Sequence, residues 1–254
     1  MSRVISVTNQ KGGVGKTTTA INLAAALAEA EQKVLLIDFD PQGNTTSGLS
    51  SFEINNDKTI YDLICDAAKP EECISKDITE GLDLITADMD LSGVEVEFQS
   101  LDDKNLILRD SISKIRENYD YVIIDCPPSL SILTLNALAA SDRVIIPVQC
   151  EYYALEGLNQ VLKTIYVIKQ KINKDLTVGG ILFTMYDSRT NLSQQVVESV
   201  RENLNERIFE TMIPRNVRLA EAPSYGQPIT MYDSSSRGAE SYRLLAAEII
   251  NEEI

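Results

Sequence analysis

The chain has 254 residues, 44% of them hydrophobic, with 38 acidic against 23 basic side chains and a formal net charge of −15. That length and composition suit a folded domain with a sizeable core and exclude a largely disordered chain. Histidine is absent, which excludes His-based triads, HExxH zinc chemistry and imidazole proton shuttles and leaves catalysis to carboxylates, lysines, hydroxyls and backbone groups.

In chain order, apolar runs at 4–8, 34–37, 82–85, 121–124, 144–148, 178–184 and 208–213 predict strands. Their continuous rather than alternating character predicts burial on both faces, as in a parallel sheet. Helical patterns fill 16–31, 104–118, 130–140, 154–171 and 192–205; the fourth carries Leu155, Leu158, Leu162 and Ile165 as a core-facing stripe. The alternation predicts an α/β fold with a doubly wound, mostly parallel sheet. Residues 43–79 are the least regular and read as an insertion packed at the surface. No repeat, low-complexity tract or linker divides the chain, so 1–254 is expected to be a single domain.

Every apolar run falls far short of the roughly 20 residues of a membrane span, and the chain opens almost directly on a strand, so a cytoplasmic location is expected. Cys65, Cys73, Cys126 and Cys150 form no C-x-x-C pair and read as reduced thiols.

Residues 9–18 read N-Q-K-G-G-V-G-K-T-T between the first strand and an Ala-rich helix. Gly12, Gly13 and Gly15 let the backbone curl so that its N–H groups face phosphate oxygens, and the helix N-terminus adds a positive dipole. Lys16 supplies a point charge for the β and γ phosphates, and the Thr17 hydroxyl suits Mg²⁺. Lys11, Gly12, Gly13, Val14, Gly15, Lys16, Thr17 and Thr18 are thus the candidate ATP loop of a P-loop NTPase. A second lysine, Lys11, is not explained by loop geometry.

Asp38 and Asp40 end the second strand at i and i+2, and the C-terminal tips of parallel strands are where open α/β sheets bind ligands. The run Y-V-I-I-D-C-P-P ends another buried strand in Asp125, the Walker B pattern, whose carboxylate is expected to hold Mg²⁺.

K-G-G-V-G-K-T resembles the deviant Walker A of the ParA/MinD superfamily. Three more stretches, I-D-F-D-P-Q-G-N-T-T-S-G-L at 37–49, P-V-Q-C-E-Y-Y-A-L-E-G-L at 147–158 and I-P-R-N-V-R-L-A-E-A-P-S-Y-G at 213–226, are similar to the chromosomal ParA proteins of the Soj branch. The resemblance runs over essentially the whole chain. It implies that Lys11 reaches the ATP of a partner protomer, that Asp40 orients the attacking water with Asp38 in a supporting role near the metal, and that Pro214 and Asn216 border the adenine. It also implies an ATP-bound homodimer that binds double-stranded DNA non-specifically, through Arg189 and Arg218, and a ParB partner that stimulates slow hydrolysis. Nucleoid association would follow, and the helix-turn-helix domain of larger plasmid relatives is not expected.

Acidity opposes DNA binding, but unevenly. Residues 1–127 carry 11 basic and 23 acidic groups, whereas 163–218 carry nine basic against six acidic. The closest rival is a MinD-type membrane ATPase, for which the acidic C-terminal helix is poorly suited; its stripe of Tyr242, Leu245, Ala246 and Ile249 is expected to pack on the domain. A metabolic ligase on this fold, an ATP-gated binding module and an iron-protein-like cluster at Cys126 are further alternatives.

Overall fold

The computed structural model describes residues 2–98 and 103–252. Strands β1 (Arg3–Val7), β2 (Val34–Asp38), β3 (Ile74–Thr79), β4 (Leu82–Ile85), β5 (Tyr121–Asp125), β6 (Arg143–Gln149) and β7 (Thr177–Thr184) form one sheet in the order β3-β4-β2-β5-β1-β6-β7. Neighbours run parallel except β3 and β4, which pair antiparallel at one edge. The α/β, doubly wound reading is therefore what the chain adopts.

Both faces are covered, which is why the strand runs are apolar throughout. Ile5, Val7, Leu36 and Ile123 point to the side of α1 (Lys16–Glu29) and the C-terminal helix Arg237–Asn251. The residues between them, Val4, Leu35, Ile37, Val122 and Ile124, pack into a second cluster with Leu108, Ile112, Leu133 and Ala137. Over β6 and β7 the helices Ala154–Lys171 and Asn191–Asn203 bury Leu158, Leu162, Ile165, Val196 and Val200. This parity has a consequence for chemistry. Asp38 lies two residues after Leu36 and Asp125 two after Ile123, so both tip carboxylates face the α1 side, where the 9–18 loop lies.

Three expectations are corrected. The 208–213 run is not a ladder strand. Phe209 N and Ile213 N donate to the carbonyls of Ile181 and Phe183, so four steps of this segment span two of β7. Between them, Glu210 N and Thr211 N turn aside to the Glu248 carboxylate. The Phe209 ring also lies against Gly180, where a Cβ would come within 2.5 Å of it. The 104–118 helix is broken into Ile107–Ile112 and a 3₁₀ turn, Arg116–Asn118. Its start is set from outside, because Asn136 accepts from Leu108 N at 3.1 Å and donates to Lys104 O at 2.7 Å. Residues 43–79 are more than a surface insertion. They hold α2 (Asn44–Ser47), two further short helices and edge strand β3, and they bury Thr45 and Leu49 completely.

Helix α1 stops at Glu29 rather than 31, because Glu31 is left-handed (φ 62). The C-terminal stripe packs as expected: Tyr242, Leu245, Ala246 and Ile249 are all buried in the α1-side core. Among the described residues no helix is long and apolar enough to cross a membrane.

Candidate functional site

The 9–18 loop is preformed by anchors to neighbouring strand ends. Asn9 Nδ2 donates to Pro147 O at 2.8 Å while its Oδ1 accepts from Lys11 N at 3.0 Å. Thr184 Oγ1, at the tip of β7, donates to Val14 O at 2.8 Å. Gly15 sits at φ 86 and launches α1, a conformation costly for any residue with a Cβ. Val14 is buried, whereas an added Cβ on Gly12 or Gly13 would meet nothing within 4 Å, so those two line open space.

Lys16 folds back across the loop, donating from Nζ to Lys11 O at 3.2 Å. It is only 7% exposed. Burial pulls its pKa below the ordinary lysine value, opposed by the nearby Asp125, Cys126 and Asp40. Below it the register aligns Asp38 with Asp125. Burial pushes Asp38 up to about 6, against hydrogen bonds from Thr46 and the Asp40 amide. Asp125 is pushed up to about 7, first by burial and then by Asp38, while the hydroxyls of Thr17 and Thr45 pull it back. Asp40 is 6% exposed and is held in a turn, its Oδ1 accepting from Gln42 N at 3.0 Å.

Lys16 and Asp40 border a cleft of about 520 Å³, lined also by Gly12, Gly13, Thr17 and Thr18, with Asp38 and Asp125 buried behind it. A second pocket of about 520 Å³ continues from it past Gly15 and Thr18, and is lined by Thr184, Met185, Pro214, Arg215, Asn216 and Tyr242 among others. Asn216 also caps the short helix Val217–Glu221, its Oδ1 accepting from Arg218 N at 2.8 Å. The geometry thus brings Pro214 and Asn216 beside the loop, which lies far away in sequence. Thr184, Met185 and Arg215 were missed by sequence reasoning. Thr184 and Met185 follow the same strand-tip rule that singled out Asp38 and Asp125, and Met185 is left-handed (φ 50), a strain that clusters at functional sites.

Asp125 tests whether a divalent cation fits. Its Oδ2 accepts from Thr45 Oγ1 at 2.8 Å, but its Oδ1 is buried with no hydrogen-bond partner among the described residues. A buried carboxylate oxygen left over next to Thr17 is the kind of donor that an oxygen-seeking cation takes. Asp38 differs, since both of its oxygens accept protein hydrogen bonds.

The remaining candidates lie outside the cleft. Lys11 is half-exposed and ion-paired with Glu151 of the same chain. Arg189 is 86% exposed and grips Asp187 through Nε and Nη2, holding that carboxyl down at about 2. Arg218 pairs with Glu221 at 2.9 Å and Asp233 at 3.4 Å. All four cysteines are free, and burial pushes the Cys126 thiol far up, so it packs rather than reacts.

A family model, AAA_31 (AAA domain), matches residues 2–178. The sporulation initiation inhibitor protein Soj of Bacillus subtilis is 51% identical over 249 residues, covering 98% of this chain and 98% of its own. The chromosome partitioning protein ParA of Myxococcus xanthus is 52% identical over 250 residues, covering 98% of this chain and 88% of its own. The crystal structure of cobyrinic acid a,c-diamide synthase from Mycobacterium smegmatis, with bound ADP and magnesium, matches with a TM-score of 0.88 at 36% identity, over 100% of this chain and 96% of that one. With a deviant phosphate loop, tip carboxylates and full-length identity near one half to such relatives, this chain belongs to the Soj/ParA chromosome-partitioning ATPases of the AAA_31 family.

Proposed function

We propose that the chain, 1–254, forms one ATPase domain that binds ATP with Mg²⁺ in the loop cleft, hydrolyses it slowly, and uses the cycle to partition chromosomal or plasmid DNA. The observation that carries this is the orphaned Oδ1 of Asp125, buried behind the cleft beside two of its lining residues, Thr17 and Lys16. Thr17 and Asp125 are the residues that would hold Mg²⁺, which when bound neutralises charge developing on the phosphate oxygens.

The chain's own groups do the rest. The loop N–H groups and Lys16 hold the phosphates, and the low-dielectric setting of Lys16 strengthens that attraction. Asp40 orients the attacking water from its turn at the cleft wall. Pro214 and Asn216 border the base in the adjoining pocket. Lys11 leaves Glu151 to reach the phosphates of a second copy, adding positive charge where it develops, so that ATP closes a homodimer.

The closed dimer binds double-stranded DNA without sequence preference through Arg189 and Arg218, and a ParB-type centromere-binding protein stimulates hydrolysis and release. Backbone contacts of this kind position a protein without reading bases. The location is cytoplasmic and nucleoid-associated. No membrane partner is proposed, because the C-terminal helix uses its apolar stripe on α1.

A band-shift on arbitrary plasmid DNA tests the reading, with ATP, ADP or no nucleotide, for the wild type and Lys16→Ala. Retardation with ATP alone, lost in the variant, is the expected result. No retardation at low salt with ATP demonstrably bound would discard the partition model.

A further inference from the structure

Asp38 is fully buried, and both of its oxygens accept hydrogen bonds from the chain itself rather than lining the cleft. Oδ1 accepts from Asp40 N at 3.3 Å. Oδ2 accepts from Thr46 twice, from the backbone N at 2.8 Å and from Oγ1 at 2.7 Å. The Thr46 hydroxyl in turn accepts from Ala87 N at 3.1 Å, just past the end of β4. One hydroxyl therefore ties α2 to the tips of two adjacent strands. The enclosed segment is a tight turn, with Gly43 N donating to Asp40 O at 2.9 Å and Gln42 N to Asp40 Oδ1 at 3.0 Å. Asp40 hangs on this turn with both ends of its loop closed by Asp38.

Thr45 and Thr46 are neighbours with different tasks. Thr45 is buried and reaches Asp125, the carboxylate with an oxygen to spare. Thr46 is only half-buried, and its hydroxyl makes the bonds that join the two strand tips. We propose that Thr46 is a positioning residue: through Asp38 and Ala87 it clamps the 38–46 loop and so fixes Asp40 against the cleft, while Asp38 braces that loop instead of serving the metal. The catalytic consequence rests on the ATPase reading above; the clamp itself does not.

The test compares Thr46→Val, which keeps the shape and the backbone N–H but loses the hydroxyl, with Thr46→Ser, which keeps the hydroxyl. Amide hydrogen exchange on the nucleotide-free chain should speed up about tenfold across 40–47 in T46V, with protection in α1 unchanged. With ATP and Mg²⁺, kcat should fall by about ten- to a hundredfold in T46V, with nucleotide Kd within about twofold of wild type. T46S should recover both readouts. The proposal is overturned if T46V exchanges and turns over like wild type, or if T46S is as impaired as T46V. It is equally overturned if Kd and α1 protection collapse along with kcat, which marks general destabilisation. A wild-type chain that turns over no ATP sinks the ATPase reading; the exchange comparison, which needs no nucleotide, then judges the clamp alone.

Discussion

Replacing Asp125 by asparagine isolates what it costs this fold to keep a carboxylate at the sheet tip. Burial, then the charges of Asp38 and Asp40, raise Asp125 from 3.8 to about 7 despite the hydroxyls of Thr17 and Thr45. An aspartate in the unfolded chain stays near its ordinary value, so between roughly pH 4 and 7 the folded metal-free chain binds the extra proton. Stability from this group is therefore greatest at the acidic end of that window and falls as pH rises through it. At about 1.36 kcal/mol per pH unit the ceiling is about 4 kcal/mol, and water drawn to the ionised group lowers it to about 2–4 kcal/mol. D125N keeps the shape and an oxygen for Thr45 but never ionises. In EDTA, without nucleotide, D125N should melt about 5–15 °C above wild type near pH 8, with about half of that gap left near pH 5.5 and the two converging only towards pH 4. Excess ADP with Mg²⁺ should raise the melting point of wild type and barely move that of D125N. A D125N chain no more stable than wild type at pH 8, or a gap of equal size at both pH values, refutes the reasoning.

Asp40→Asn should leave nucleotide affinity near wild type and lower kcat by about 10²-fold or more, read by phosphate release against fluorescent-nucleotide binding. Arg189→Glu and Arg218→Glu should each weaken DNA retention with ATP without changing ATP affinity. Each should also make the plot of log affinity against log salt shallower, by about 0.9 per lost phosphate contact. Leu245→Ala, at a fully buried position between the C-terminal helix and α1, should cost about 2–5 kcal/mol in urea unfolding. It should create no affinity for anionic vesicles; pelleting with lipid and ATP would reopen the MinD-type reading.

The central strands were legible because burial on both faces leaves a continuous apolar run that no surface segment needs. The same rule failed at both edges. Strand β3 reads I-S-K-D-I-T, half-exposed and antiparallel, and its alternation carries too little apolar signal to separate it from a loop. The 208–213 run is apolar enough for a strand, but its middle amides belong to Glu248, a partner on the far C-terminal helix that no local pattern reveals. The phosphate loop and its carboxylates could be read because loop, helix start and strand tips are local features with fixed spacing. Thr46, Arg215 and the Lys11–Glu151 pair were not, since each acquires its place through contacts across 8 to 140 residues.

A division of labour follows from burial. Lys16, Asp38, Asp40 and Asp125 are sealed in and braced by Thr45, Thr46 and the strand ends, so the free chain already bears the cost of desolvating them. Nucleotide and metal then meet a site needing little reorganisation, and binding energy is not consumed in folding a loop. Lys11, Arg189 and Arg218, the groups assigned to a second copy and to DNA, are instead exposed and held by carboxylates of their own chain. Exposed pairs of this kind are screened by salt, and a phosphate offers the same oxygens as Asp187 or Glu221, so it can take their place. Pairing in cis also masks positive charge on the free chain, which carries a formal net charge of −15. In the proposed cycle, DNA affinity then depends on bringing two such patches together, and that is what makes an acidic protein's grip on DNA switchable by nucleotide.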